Sequence, residues 1–193
     1  DSLGGLKKTA QKLGFDSKKT LGNYKYRGSI PLDVLKQLTE LSDTELNEEA
    51  KLAAKRDTVE LPAYLSVDSD LMRLLGYYLA EGYIRKSEKK GEQFYQVCFA
   101  YGEEKLKENI CDCIESVFGI SPSVEENTIT LSSRLAYEFI SSLNAGTGAQ
   151  NKRVPERIKK LPKERLSPLL AAYFAGDGSV EKGKLHVQAT SVS

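Results

Sequence analysis

Leu74-Leu75-Gly76-Tyr77-Tyr78-Leu79-Ala80-Glu81-Gly82 and Leu170-Ala171-Ala172-Tyr173-Phe174-Ala175-Gly176-Asp177-Gly178 follow one plan: an apolar helical run with small residues that closes on an acid and a glycine. Their acids stand 96 residues apart. Gly76 and Ala80, like Ala172 and Gly176, are one turn apart on a single helical face, so two such helices can approach more closely than large side chains allow. Glu81 and Asp177 then meet at the same end of the pair. Gly82 and Gly178 are predicted to end the helices in the left-handed cap conformation. Two carboxylates placed where two helix dipoles are both negative repel each other, and a divalent cation with oxygen ligands relieves that repulsion. Mg²⁺ fits such a site, because it keeps several waters and can bridge carboxylate and phosphate oxygens. A single acid before a glycine at a helix end is commonplace; two in register are not.

The surroundings of the nonapeptides repeat as well. Asp68 to Asp70 can cap the first helix, and Tyr83 to Tyr101 reads as a hairpin with a polar tip from Lys86 to Gly91. Apolar spacing then marks a helix through Leu106, Ile110, Ile114 and Val117. Two short strands follow at Ser123–Glu125 and Thr128–Leu131, and then a helix through Leu135, Phe139 and Leu143. After the polar loop 144–151 and a basic stretch, the helix from Leu166 to Gly176 leads into a new hairpin, with Leu185, Val187 and Ala189 alternating against His186, Gln188 and Thr190. This restart of helix, acid, glycine and hairpin argues for a duplicated α+β unit.

Ahead of it, residues 1–45 read as three short helices. Leu6, Ala10 and Leu13 share a face before Gly14; Asp16 or Ser17 can cap a second helix ending near Arg27; Pro31 opens a third carrying Leu32, Leu35 and Leu38. The order fits a helix-turn-helix module, an arrangement that plain helical bundles share. Residues 46–64 form the expected linker, with Ser42–Arg56 read as a connecting helix and Val59–Pro62 as extended. Lys+Arg and Asp+Glu number 28 and 27, a net charge of +1, a poor sum for a phosphate binder. The distribution says more: Lys18, Lys19, Lys25 and Arg27 belong to one basic island, and Lys152 and Arg153 begin another, with an acidic bridge between them.

The paired nonapeptides resemble the two LAGLIDADG, or dodecapeptide, motifs of homing endonucleases, each with its acid at the penultimate position. The resemblance runs from about Val59 onward, and the small helical module is similar to one that some archaeal intein endonucleases carry. It implies a duplicated αββαββ fold within residues 65–193, with a first repeat at 65–164 and an incomplete second at 165–193, arranged as a monomeric pseudo-dimer. It further implies site-specific, Mg²⁺-dependent hydrolysis of double-stranded DNA. Glu81 and Asp177 would be metal ligands, joined by the backbone carbonyls of Ala80 and Gly176. Lys152, which matches the family's Lys ahead of a Pro, would be the catalytic helper near the attacked phosphate; a solvated phosphate-binding role is the plainer reading of the same residue.

Polar strand positions supply the candidate base readers: Arg85, Lys86, Gln93 and Gln96 in the first unit and His186, Gln188 and Thr190 in the second, with Gln93 and Gln96 on opposite faces unless a bulge intervenes. The competing function is a non-cleaving nucleic-acid-binding protein that keeps the fold without turnover; a purely structural domain leaves the paired motif unexplained. The chain opens on Asp rather than Cys or Ser and has no terminal His-Asn pair, so a host intein's splicing domain, if joined in cis, is expected outside this sequence. No run approaches the roughly 20 apolar residues of a membrane span and no signal-peptide layout precedes the first helix, which points to an intracellular protein without a membrane partner. Cys98, Cys111 and Cys113 are expected as reduced thiols, and neither Cys111 nor Cys113 as a nucleophile.

Overall fold

The protein is described by a computed structural model for residues 3–54, 59–180 and 187–189. The chain divides into two compact units, Asp1–Glu48 and Glu49–Ser193.

The first unit holds three helices, α1 (Leu6–Lys12), α2 (Lys18–Arg27) and α3 (Leu32–Ser42). The Ser17 hydroxyl accepts the Lys19 amide at 3.2 Å to start α2, and Gly28, at φ 64°, ends it in the left-handed conformation. Pro31 leads into α3, where its missing N–H leaves no bond unmade. Thr9, Ala10, Leu21 and Val34 are buried. The connecting helix expected over Ser42–Arg56 is corrected here. Asp43 takes a left-handed conformation (φ 49°, ψ 42°) that closes α3, and the Thr44 hydroxyl lies 2.7 Å from that of Ser42. Beyond it, β1 (Lys51–Ala53) pairs antiparallel with β2 (Glu60–Pro62), placing Leu52 opposite Leu61. Burial of Leu61 in the core of the second unit outweighs the helix propensity of the Ala-rich run.

In the second unit, α4 (Ser69–Glu81) starts where the Asp68 carboxylate accepts the amides of Asp70 and Leu71 at 3.1 and 3.0 Å. It is followed by β3 (Gly82–Lys89), β4 (Glu92–Ala100), α5 (Glu104–Phe118), β5 (Ser123–Glu125), β6 (Thr128–Ser132) and α6 (Arg134–Ser142). A single 3₁₀ turn at Ala149–Asn151 and a short α7 (Glu156–Lys159) lead to α8 (Lys163–Asp177), after which β7 (Gly178–Val180) pairs with β8 (Val187–Ala189). The main sheet is antiparallel in the order β3-β4-β6-β5. Its first hairpin is longer than the expected polar tip allowed. Lys90 and Gly91 both take positive φ (54° and 79°), as a tight two-residue hairpin turn requires, so the strands continue to Lys89 and Glu92. The α+β architecture with its αββα order is as the sequence indicates.

Val97, Phe99, Ile129 and Leu131 lie on one face of this sheet and join Leu71, Leu74, Leu75 and Tyr78 of α4 and Ile110, Ile114 and Phe118 of α5 in one core. That core fixes the sheet against α4 and so sets where the helix end points. Cys98, Cys111 and Cys113 are free thiols. Burial pushes Cys113 up to about 12 and raises Cys111, which suits packing residues rather than nucleophiles.

Candidate active site

The glycines show why α4 and α8 lie so close. A Cβ at Gly76 would sit 2.3 Å from the Leu169 carbonyl oxygen and 2.8 Å from the Ala172 Cβ. A Cβ at Gly176 would sit 2.7 Å from the Ala80 Cβ and 3.5 Å from the Glu81 Cγ. Each small residue of one nonapeptide thus faces a small residue of the other, and the helices touch backbone to side chain where the sequence paired them. The expected left-handed cap at Gly82 is corrected: its φ of −84° and ψ of 153° are extended, and it pairs with Phe99 as the first residue of β3. The helix runs straight into the strand. Glycine is needed there for closeness, since a Cβ would lie 2.4 Å from Tyr78 Cδ2 and 2.6 Å from Tyr78 Cα. Gly178 likewise begins β7, opposite Ala189.

Glu81 and Asp177 are brought together at the ends of α4 and α8. Burial, reinforced by the negative charge of Asp177 and only partly offset by Lys152, raises the Glu81 pKa above its ordinary value. Tyr173, one turn before Asp177, donates its hydroxyl to the Asp177 Oδ2 at 3.3 Å. The third group is Lys152, half-buried, whose Nζ donates to the Ala80 carbonyl at 2.8 Å. Burial lowers the Lys152 pKa, opposed by attraction to Glu81 and Asp177. Residues far apart in sequence therefore form one cluster of two carboxylates, one ammonium and the Ala80 carbonyl in the last turn of α4. Among the described residues no group of three or more His, Cys, Asp or Glu could hold a metal, so any ion here takes its remaining ligands from backbone, water or substrate. The Ala80 carbonyl, though engaged by Lys152, keeps a second lone pair.

The electrostatics give a testable consequence. A carboxyl whose folded-state pKa is raised costs stability once ionised. That cost is complete above the raised value and vanishes as pH falls below the ordinary carboxylate range. Glu81→Gln is therefore expected to raise the melting temperature of metal-free protein at neutral pH by about 2 °C, given how exposed the group is. In acid, where wild-type Glu81 is also neutral, the two melting curves should coincide. Equal melting temperatures at both pH values would show that ionised Glu81, for all its burial and the nearby Asp177 charge, costs the fold nothing.

The candidate nucleic-acid residues divide by face. Arg85 is opposite Gln96 and Gln96 opposite Ser132 in the register. The Arg85 Nε donates to Gln96 Oε1 at 2.9 Å, and Gln96 Nε2 donates to Ser132 Oγ at 3.1 Å. This polar row crosses three strands on the face away from the core. Lys86 and Gln93 are on the other face, as the regular pleat dictates: the Lys86 ammonium lies 5.2 Å from the Tyr95 ring centroid, and Gln93 accepts the Tyr95 hydroxyl at 2.6 Å. Arg153 is exposed and donates from Nε to the Asn144 carbonyl at 3.2 Å. Lys18, Lys19, Lys25 and Arg27 are exposed on α2 of the first unit. His186 and Thr190 lie outside the described residues, and Gln188 is described only as a backbone position in β8. Sequence reasoning passed over Tyr173, although its spacing of one helical turn before Asp177 was legible, and Ser132, whose part depends on strand register.

Residues 68–145 match the LAGLIDADG-like domain. The DNA polymerase II large subunit of Thermococcus kodakarensis is 36% identical over 176 residues, covering 89% of this chain and 10% of that protein. A DNA polymerase of Thermococcus litoralis is 35% identical over 121 residues, covering 62% of this chain and 7% of that protein. The chain thus spans about a tenth or less of the length of these relatives. A solved structure of I-DmoI in complex with its target DNA in the presence of manganese aligns with a TM-score of 0.45 and 18% identity, over 58% of this chain and 63% of that one. The first of the two acid-bearing helices, α4, lies inside the matched segment, so residues 68–145 of this chain are similar to the LAGLIDADG-like domain.

Proposed function

We propose that the chain is the DNA-cleaving part of an intein-type element and hydrolyses double-stranded DNA at a specific site with a divalent cation. The observation that carries this reading is the meeting of Glu81 and Asp177 at the ends of two close-packed helices, with the Lys152 ammonium bonded to the Ala80 carbonyl beside them. Alignment with a small fraction of much longer archaeal polymerases supports an inserted element within a host protein, acting wherever the cell keeps its DNA.

The residues present fit Mg²⁺ or Mn²⁺. The donors are all oxygens, the two carboxylates strain each other, and the ion's remaining positions can be filled by the carbonyls of Ala80 and Gly176, by water and by phosphate. When bound, the ion would activate water and stabilise the leaving oxygen. Glu81 and Asp177 would hold it at the helix ends, and Tyr173 fixes the orientation of Asp177 by its hydroxyl. Lys152 supplies a positive charge beside the phosphate under attack, where charge develops in the transition state. Arg85, oriented by Gln96, offers its remaining guanidinium donors to a base edge in the major groove, and Arg153 adds a phosphate contact; Lys18, Lys19, Lys25 and Arg27 on α2 of the first unit are a separate set of phosphate binders.

The test is cleavage of a randomised plasmid library by the protein with Mg²⁺ or Mn²⁺, followed by sequencing of the ends. Recurrent ends within one sequence, absent with chelator, are the expected result. Tight duplex binding with no scission in either metal would instead identify a non-cleaving relative.

A further inference from the structure

We propose that Tyr78 is a positioning residue: its hydroxyl ties down the loop that carries Lys152 and so sets the lysine at the acid pair. The inference rests on the role given to Lys152 above. Tyr78 is 1% exposed in α4, and its ring meets Phe99 edge-on at 6.4 Å, which alone would describe a core aromatic. Its hydroxyl does something else. It donates to the Gly146 carbonyl at 2.8 Å, across 68 residues of sequence.

Residues 144–153 form a loop that closes on itself. Gly146, at φ 79°, lies so near the returning limb that a Cβ would fall 1.9 Å from the Asn151 carbonyl oxygen. The Arg153 amide donates to the Ala145 carbonyl at 2.9 Å, and the Asn151 amide to Gly148 at 3.0 Å. Ala145 is buried, so the loop is anchored beside the core. The Gly146 carbonyl is therefore the point on the outgoing limb where Tyr78 holds the loop, and Lys152 is on the returning limb. Lys152 leads back to the same side chain, with its Nζ 6.0 Å from the centroid of the Tyr78 ring and bonded to Ala80, two residues further along α4. One tyrosine thus touches both limbs: its oxygen fixes the first and its ring face flanks the ammonium on the second. Burial pushes the phenol up to about 12, so it remains a donor throughout the neutral range.

Tyr78→Phe keeps the ring and its packing while removing only the hydroxyl. The test is the rate at which an amine-acetylating reagent labels each lysine in the metal-free full chain, read by mass spectrometry, with Lys159 and Lys163 as internal references. Loss of a buried hydrogen bond is expected to raise labelling of Lys152 about fivefold while the references stay unchanged. Unchanged labelling of Lys152, or a rise at all lysines together, would overturn the proposal. Cleavage kinetics separate it from the reading it rests on. Tyr78→Phe should lower kcat without changing KM in the wild-type background and do nothing further once Lys152→Met is present. Full activity in Lys152→Met would remove the role of the lysine while the labelling result still decides whether Tyr78 places it. An equal loss from Tyr78→Phe in both backgrounds would mean that the tyrosine does not act through Lys152.

Discussion

Glu81→Gln and Asp177→Asn are each expected to lower the cleavage rate by on the order of a thousandfold in saturating Mg²⁺, with duplex binding changed only slightly. Each substitution keeps size and shape but turns one acceptor oxygen into an NH2 donor and removes half of the negative charge that would hold the ion. Polarisation of a phosphoryl oxygen by a metal accounts for several kcal/mol of transition-state stabilisation, and about 4 kcal/mol corresponds to that factor. The loss cannot be put down to unfolding if Glu81→Gln also shows the small rise in thermal stability expected from relief of the strained carboxylate. Single-turnover rates on a cleaved target, measured with melting curves on the same preparations, give both quantities. A Glu81→Gln enzyme within tenfold of wild type would exclude Glu81 as a metal ligand.

Gly76→Val is expected to destabilise the second unit by about 3 kcal/mol, or roughly 10 °C, and to abolish cleavage with it. Its Cβ would lie 2.3 Å from the Leu169 carbonyl oxygen and 3.0 Å from the Tyr173 amide nitrogen, both backbone atoms of α8 that no rotamer change can move aside. The helices would have to separate, carrying Asp177 away from Glu81. Gly102→Ala is the matched control, because a Cβ there meets nothing within 4 Å and no left-handed backbone is involved. If Gly76→Val melts with Gly102→Ala, the helix pair is looser than the small residues imply.

The paired nonapeptides made the central geometry legible in advance. Small residues one turn apart can serve little purpose on a helix unless something approaches them, and their recurrence in both segments named the partner. Hydrophobic spacing placed α4, α5 and α6 for the same local reasons that build them, and Asp68 caps α4 as the sequence indicates. What failed was decided by neighbours distant in sequence. Gly82 reads as a helix cap, yet hydrogen bonding to Phe99 makes it the start of a strand. The run after Ser42 reads as helix, yet burial of Leu61 and its pairing with Leu52 draw it into an extended ribbon. The parts of Tyr78 and Ser132 were hidden for another reason: a buried tyrosine in an apolar helix and a serine at a strand end announce nothing until the Gly146 loop and the strand register bring their partners into reach.

Paramagnetic broadening of backbone amide signals during a Mn²⁺ titration of metal-free protein reaches the core of this account without needing the DNA target. Signals from residues 80–82 and 176–178 should disappear together at the lowest Mn²⁺ added, and either Glu81→Gln or Asp177→Asn alone should spare both sets. Broadening at only one helix end, at acidic surfaces elsewhere, or undiminished in the single variants would mean that the two carboxylates do not share a cation.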